Sequence, residues 1–392
     1  MTSLQLGGYD PLDVQLDEAA VASPPPRRAS RTVLARWSPS SVPVASLLLL
    51  GIVLGPRGVG LVSSGVLTLL DPAIPVALAA LGALVGLSLE VGDRRVTHML
   101  GGALLESGLA ALLVAIPLLL VAPPVLIAGA IPLWALVCGL GVCAASSLAV
   151  PSPAIEAAPT ARSRMLALDV LFPIVAGGIL LAVLKGADLL AVLAVISQAI
   201  LITVLLAAAA WLLLVRAGSD TEQRVFAFAV MLLIGGVADY LALSALMSGL
   251  VAGTLWRFAA GQAGDSLRRD LLYMQHSVLV LVLIVAGARA ELSLTTVGVA
   301  AVYVALRTVA KLSAGSLLGR WLEPREPGGG RYLLSPGVFG VAFALNLLRA
   351  VGPDATVLLT IVTLGTIGSE VAAEFGRSDD TAPAAGGRIV TT

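Results

Sequence analysis

A succession of near-continuous apolar runs fills residues 43–374 and limits what this chain can become more than any other feature. A helix rises about 1.5 Å per residue, so about 20 apolar residues cross the roughly 30 Å hydrocarbon core of a bilayer. Twelve such stretches fit: 43–62, 66–90, 99–122, 125–150, 163–184, 188–215, 224–241, 242–258, 271–290, 295–319, 332–350 and 354–374. The runs are continuous rather than alternating, which argues against a transmembrane β-barrel. Of 392 residues, 58% are hydrophobic and only 12% charged, whereas an average soluble domain carries about 25% charged residues. This balance excludes a soluble globular enzyme, a disordered protein and a nucleic-acid binder with a basic face. The expected fold class is all-α: a polytopic transmembrane helical bundle of about 12 spans.

The division within 224–258 is the weakest, marked by a break near Asp239. One tilted helix would be too long there, so two short ones are expected. Arginine placement agrees. With the N-terminus inside, one set of loops holds Arg27, Arg28, Arg31, Arg36, Arg94, Arg95, Arg162, Arg164, Arg216, Arg224, Arg257, Arg268, Arg269, Arg320, Arg325, Arg331, Arg377 and Arg388. The other set holds only Arg57, Lys185, Arg289 and Arg349. Cytoplasmic loops carry the excess of basic residues, so both termini are expected in the cytoplasm. Trp37, Trp211, Trp256 and Trp321 fall at inner ends, where interfacial anchors belong. Residues 1–42, with Pro24, Pro25 and Pro26, read as a disordered cytoplasmic tail, and residues 376–392 as a second one. No apolar signal-peptide core precedes the first span. The transmembrane domain is then 43–375, in a bacterial inner or plasma membrane. Cys138 and Cys143 read as two small buried side chains rather than a disulfide or metal pair.

An ionisable group at bilayer depth is costly and therefore a candidate for function. Glu106, Asp169, Arg307, Lys311 and Glu370 lie inside spans, while Asp71 and Asp239 sit at outer, wetted ends. Counted from the inner edges, Asp169, Glu106 and Lys311 fall at one depth, roughly 9–12 Å in at about 1.5 Å per residue. Three helices could therefore bring them to one cavity. A buried carboxylate can hold either a proton or a dehydrated monovalent cation, and a nearby lysine can pair with it between loads. Asp169 paired with Lys311 fits that chemistry best; a static ion pair that fixes packing is the alternative. Arg307, one turn from Lys311 on the same face, reads as a second compensating cation or as an anchor to backbone carbonyls or Glu370. Glu106 and Glu370 are possible secondary carboxylates. His276, in the inner half of its span, reads as an ordinary polar contact.

Two spans carry breaking residues at membrane depth. One runs through Gly139, Gly141, Ser146, Ser147, Pro151 and Pro153; the other holds Pro336, Gly337, Gly340 and Asn346. Interrupted helices in corresponding positions of two oppositely oriented halves are the mark of a transporter's binding site. The Ser146 and Ser147 hydroxyls could serve a cation there.

Six ordered segments resemble monovalent cation:proton antiporters. Residues 51–61, GIVLGPRGVGL, are similar to a G-x-x-x-G-P-x-G-x-G-L stretch, and residues 81–90, LGALVGLSLE, to a G-L-E-L segment that here lacks its aromatic. Residues 144–150, AASSLAV, resemble the broken-helix A-S-S-T-A-V, with Leu148 in place of Thr. Asp169, in 167–170, falls where the family places its ion-binding aspartate, although Leu168 precedes it. Residues 243–253, LSALMSGLVAG, and the LRTVAKLSAG helix with Arg307 and Lys311 complete the series. The resemblance implies an inverted-repeat antiporter fold with two broken helices, spans 3–5 and 10–12 forming a moving core and spans 1–2 and 7–9 a dimerising scaffold.

The expected function is secondary active exchange of Na+ or K+ for H+ by alternating access. Asp169, Ser146 and Ser147 would bind the ion and Lys311 and Arg307 would compensate charge. No cofactor, metal, nucleic acid or enzymatic step is implied; the partners are the ions, the bilayer and a second copy of the chain. Alternatives are a sodium-coupled organic-anion carrier of the same fold and a non-transporting sensor or scaffold. An intramembrane aspartyl hydrolase would need facing aspartates, and Asp169 and Asp239 lie at opposite depths.

Overall fold

The structure is a computed structural model that describes residues 44–89, 94–121, 131–147, 168–216, 219–259, 262–322 and 337–378. The expected tail 1–42 lies outside the described residues, as does all but the start of 376–392. Among the described residues the regular structure is entirely helical, in thirteen α-helices and one short 3-10 turn, Pro353–Ala355. In chain order they are α1 (Val44–Leu54), α2 (Ser64–Leu70), α3 (Ala73–Leu87), α4 (Arg94–Val121), α5 (Leu133–Ala145), α6 (Leu171–Lys185) and α7 (Leu189–Arg216). There follow α8 (Asp220–Tyr240), α9 (Ala245–Ala259), α10 (Gln262–Ala288), α11 (Leu294–Leu322), α12 (Val338–Val351) and α13 (Thr356–Ser378).

Six helices are long and apolar enough to cross a membrane, or seven when α2 and α3, bent by 48° about Asp71 and Pro72, count as one span. Another five apolar helices, α1, α5, α6, α9 and α12, are shorter. Each of the twelve apolar stretches holds one helix or the bent pair, yet length alone does not make every one a crossing. The doubtful stretch 224–258 is divided as expected, but at Leu241 to Ser244 rather than at Asp239, and Ala242 takes a positive φ of 50° in the turn.

Local chemistry sets the ends. Ser219 accepts from the Glu222 amide at 3.3 Å to start α8, and Asp188 accepts from the Ala191 amide at 2.7 Å to start α7. Both satisfy amide donors that a first turn leaves orphaned. Gly352, at φ 96°, ends α12 ahead of Pro353.

The helices pack as two groups. One gathers α1, α3, α8, α9 and α10; the other gathers α4, α5, α6, α11, α12 and α13. The tightest contact is α3 against α9. Gly82 and Gly86 on α3 face Gly249 and Gly253 on α9, and a Cβ on any of them would run into the opposing backbone. This is the small-residue packing that lets helices associate in lipid, where no hydrophobic drive exists. Helix α7 buries one stripe, Thr203, Ala207, Ala210 and Leu214, and turns leucines outward over the rest of its surface. Gly249→Leu is expected to cost about 1–3 kcal/mol by overpacking and to lower the melting temperature of the detergent-extracted protein. Gly236→Ala, which meets open space, should leave that temperature unchanged. Equal melting for both would mean that α3 and α9 can part freely.

Candidate functional site

Two helix ends meet in the middle of the second group. Helix α5 stops at Ala145, and Ser146 is extended at φ −68° and ψ 129°. Gly337, extended at φ −85° and ψ 135°, leads into α12. The Gly337 amide donates to the Ser146 carbonyl at 3.3 Å, and the Cys143 thiol donates to the Gly340 carbonyl at 3.3 Å. A Cβ on Gly337 would overlap the Ser146 hydroxyl, so the crossing needs glycine there. The expected continuations of both interrupted spans, with Pro151, Pro153, Leu148 and Pro336, lie outside the described residues.

The carbonyls at the end of α5 lack helical donors and carry the negative end of the helix dipole. Cations from α11 meet them. Arg307 donates to the Ser146 carbonyl at 2.8 Å, and Lys311 donates to the Ala145 carbonyl. Arg307 thus holds a backbone carbonyl.

The carboxylates fill the remaining side of Lys311. Its Nζ lies 3.1 Å and 3.2 Å from the two oxygens of Glu106 on α4, and 3.5 Å from Asp169 Oδ2. The expected Asp169–Lys311 ion pair is present, and Glu106 is a second and nearer partner of the same ammonium. Asp169, just ahead of α6, instead accepts a hydrogen bond from Ser107 at Oδ1. Glu106 and Lys311 are 0% exposed, Asp169 1% and Arg307 3%, so these charges meet one another rather than bulk water. Asp169 Oδ2 and the Ser146 and Ser147 hydroxyls find no hydrogen-bond partner among the described residues. Lys311 at 3.5 Å gives Asp169 Oδ2 an ion pair without a hydrogen bond, and hydroxyls left without a partner at such depth are costly unless a cation or water completes them.

Glu370 stands apart, accepting from the Ala45 amide at the start of α1 at 2.5 Å. At the other end of α12, Arg349 reaches Asp239 in a two-pronged pair at 2.9 and 2.8 Å and Asp71 at 3.2 Å. Asp71 also receives Arg289. Asp71, Arg289 and Arg349 edge a cavity of about 560 Å³. Asp71 and Asp239, expected to be wetted and still about a third exposed, also form ion pairs that tie α12 to the first group.

Ser107 was not foreseen; its position beside Glu106 on a helix is the only signal the sequence offered. Asn346, foreseen only as a helix interruption, accepts from the Ala245 amide at 3.3 Å and donates to Ser244 at 3.2 Å, closing the start of α9. Two lesser readings are corrected. Cys138 is exposed, since it lies on the outward face of α5, and only Cys143 is buried. Trp256 is fully buried because its indole N–H donates to the Ala207 carbonyl at 2.9 Å inside the bundle.

This helical arrangement is similar to a solved transporter, the sodium proton antiporter MjNhaP1 from Methanocaldococcus jannaschii. The TM-score is 0.60 at 16% identity, covering 85% of this chain and 90% of that one. At that identity the likeness is one of fold. No protein-family model and no curated protein matches the sequence. The apolar helices and this fold make the chain an integral membrane protein with an antiporter-like helical architecture.

Proposed function

We propose that the chain exchanges a monovalent cation, Na+ or K+, for H+ by alternating access, with Asp169 carrying each in turn. The observation that carries this reading is Asp169 Oδ2, buried with no hydrogen-bond partner among the described residues and with the Lys311 ammonium 3.5 Å away; the Ser146 and Ser147 hydroxyls, buried at the end of α5, likewise lack hydrogen-bond partners. A negative oxygen beside neutral hydroxyls suits a dehydrated alkali cation, and the same carboxylate accepts a proton when the cation leaves. The neighbouring structure is named a sodium proton antiporter, which agrees with such a site. Lys311 and Arg307 stabilise the end of α5 and offset the carboxylates. Glu370, joined to α1, is a packing contact in this reading.

In the same reading the chain crosses the membrane twelve times, α5 and α12 are halves of broken spans, and both termini face the cytoplasm of a bacterial cell. The two packed groups become moving core and scaffold, and a second copy docks on the scaffold. The test is direct. Everted vesicles or proteoliposomes holding the chain should release protons when Na+ or K+ is added, and empty ones should not. Silence with both cations, from protein shown to be folded, refutes the exchange.

A further inference from the structure

We propose that the turn between α8 and α9 is a reversible latch between the two packed groups: Lys185, Asn346 and Arg349 of the second group grip it in this structure, and the groups slide past each other when that grip is released. The inference rests on the alternating-access reading and adds the contact that must open for it.

The turn is strained and is held from outside its own group. Between Asp239, at the end of α8, and Ala245, the first residue of α9, Ala242 takes a φ of 50°. A residue with a Cβ is disfavoured there, and such a conformation persists where its surroundings over-determine it. Those surroundings come from the opposite group. Lys185, the last residue of α6, donates to the Leu241 carbonyl at 3.0 Å. Asn346 on α12 donates to the Ser244 hydroxyl at 3.2 Å and accepts from the Ala245 amide at 3.3 Å. Three residues further along α12, Arg349 closes on both oxygens of Asp239 at 2.9 and 2.8 Å and reaches Asp71, between α2 and α3, at 3.2 Å. Side chains from two helices of one group thus converge on a single turn of the other.

Wetting makes these contacts reversible. The side chains of Arg349, Asp71 and Asp239 are 18%, 31% and 34% exposed, and Arg349 and Asp71 border the cavity of about 560 Å³. When such a pair parts, each charge takes up water in place of its partner, so the exchange of partners is nearly balanced. The charges around Lys311, at most 3% exposed, have no such replacement and must travel together. The grip on the turn therefore fixes the register of the two groups without making it permanent, as a sliding interface with two resting positions requires.

The experiment uses the full chain in proteoliposomes, spin-labelled through Leu69→Cys and Leu120→Cys, exposed positions on the first and second groups, in a Cys138→Ser background because Cys143 is buried. Electron-electron double resonance should show one main distance without further substitution. Arg349→Gln removes the two-pronged pair and should raise the population of a second distance about five-fold or more; Lys185→Met, at an exposed position, should raise it by less. Arg224→Gln, whose partner Asp270 lies within the first group, should leave the distribution unchanged. In a separate preparation, the thiols of Asp239→Cys/Arg349→Cys are joined by a short bis-methanethiosulfonate linker, which should stop proton release until reductant restores it. Unchanged distances in either latch variant, the same shift in Arg224→Gln, or exchange that continues under the linker would each overturn the latch. Should Arg349→Gln fail to fold, Lys185→Met and the linker still decide. A wild type that exchanges nothing sinks the exchange reading instead, and the distances then decide the latch alone.

Discussion

Asp169→Asn should reduce proton release to the level of empty vesicles with either cation, without lowering the yield of folded protein. Asparagine has the shape of aspartate, so its carbonyl oxygen can accept the Ser107 hydroxyl as Asp169 does now. Lys311 keeps Glu106, so no buried charge is stranded. What disappears is the group that can be either protonated or charged. A neutral amide offers an alkali ion only a dipole, and two serine hydroxyls cannot replace the lost charge. Stability and activity therefore part company in this variant, which sets it apart from mutations that act through misfolding. Asp169→Glu should retain part of the exchange, because the carboxyl survives at the cost of its placement against Ser107 and Lys311. Wild-type proton release from Asp169→Asn would remove the residue from the transport cycle.

Much of this arrangement was legible because lipid leaves a sequence few choices. Apolar runs must become helices, and the helices found follow the predicted stretches, down to the division of 224–258. The charged residues inside those runs could be picked out as exceptions, and four of them, Glu106, Asp169, Arg307 and Lys311, do meet. Depth along each helix comes from counting residues; direction around the axis does not. Lys311 was assigned to Asp169 because both lay at one depth. The side chain reaches Asp169 and lies closer still to Glu106, because α4 packs against α11. Ser107 was invisible for a similar reason: a serine in an apolar helix usually bonds its own preceding turn, and only the neighbouring helix shows that it serves Asp169. The Arg349 network escaped too, since residues at span ends read as wetted until the facing helices are known. Helix length was harder still. Gly139, Gly141 and the serines at 146 and 147 announced an interruption, but not that the observed helix would end at Ala145 with its carbonyls capped by two cations from α11.

Lys311→Met should be the most destabilising single change in the cluster. Methionine fills a similar volume but donates nothing, so Glu106 loses the partner of both its oxygens, Asp169 its nearby cation and Ala145 its donor. Breaking a buried ion pair from one side costs about 3–5 kcal/mol, because the abandoned charge has no water to return to. That compares with a total stability of about 5–15 kcal/mol for a typical domain. A large fall in the melting temperature of the detergent-extracted protein is the expected reading. Removing the second charge as well should reverse most of it: Glu106→Gln/Lys311→Met leaves an amide and a thioether, neither of which needs a counter-ion. If that double variant melts as low as Lys311→Met alone, the worth of Lys311 lies in the Ala145 carbonyl and the end of α5 rather than in Glu106. If it recovers, the buried pair is a matched set whose members are costly singly and dispensable together. Asp169 would then be free to change its charge without disturbing the bundle around it.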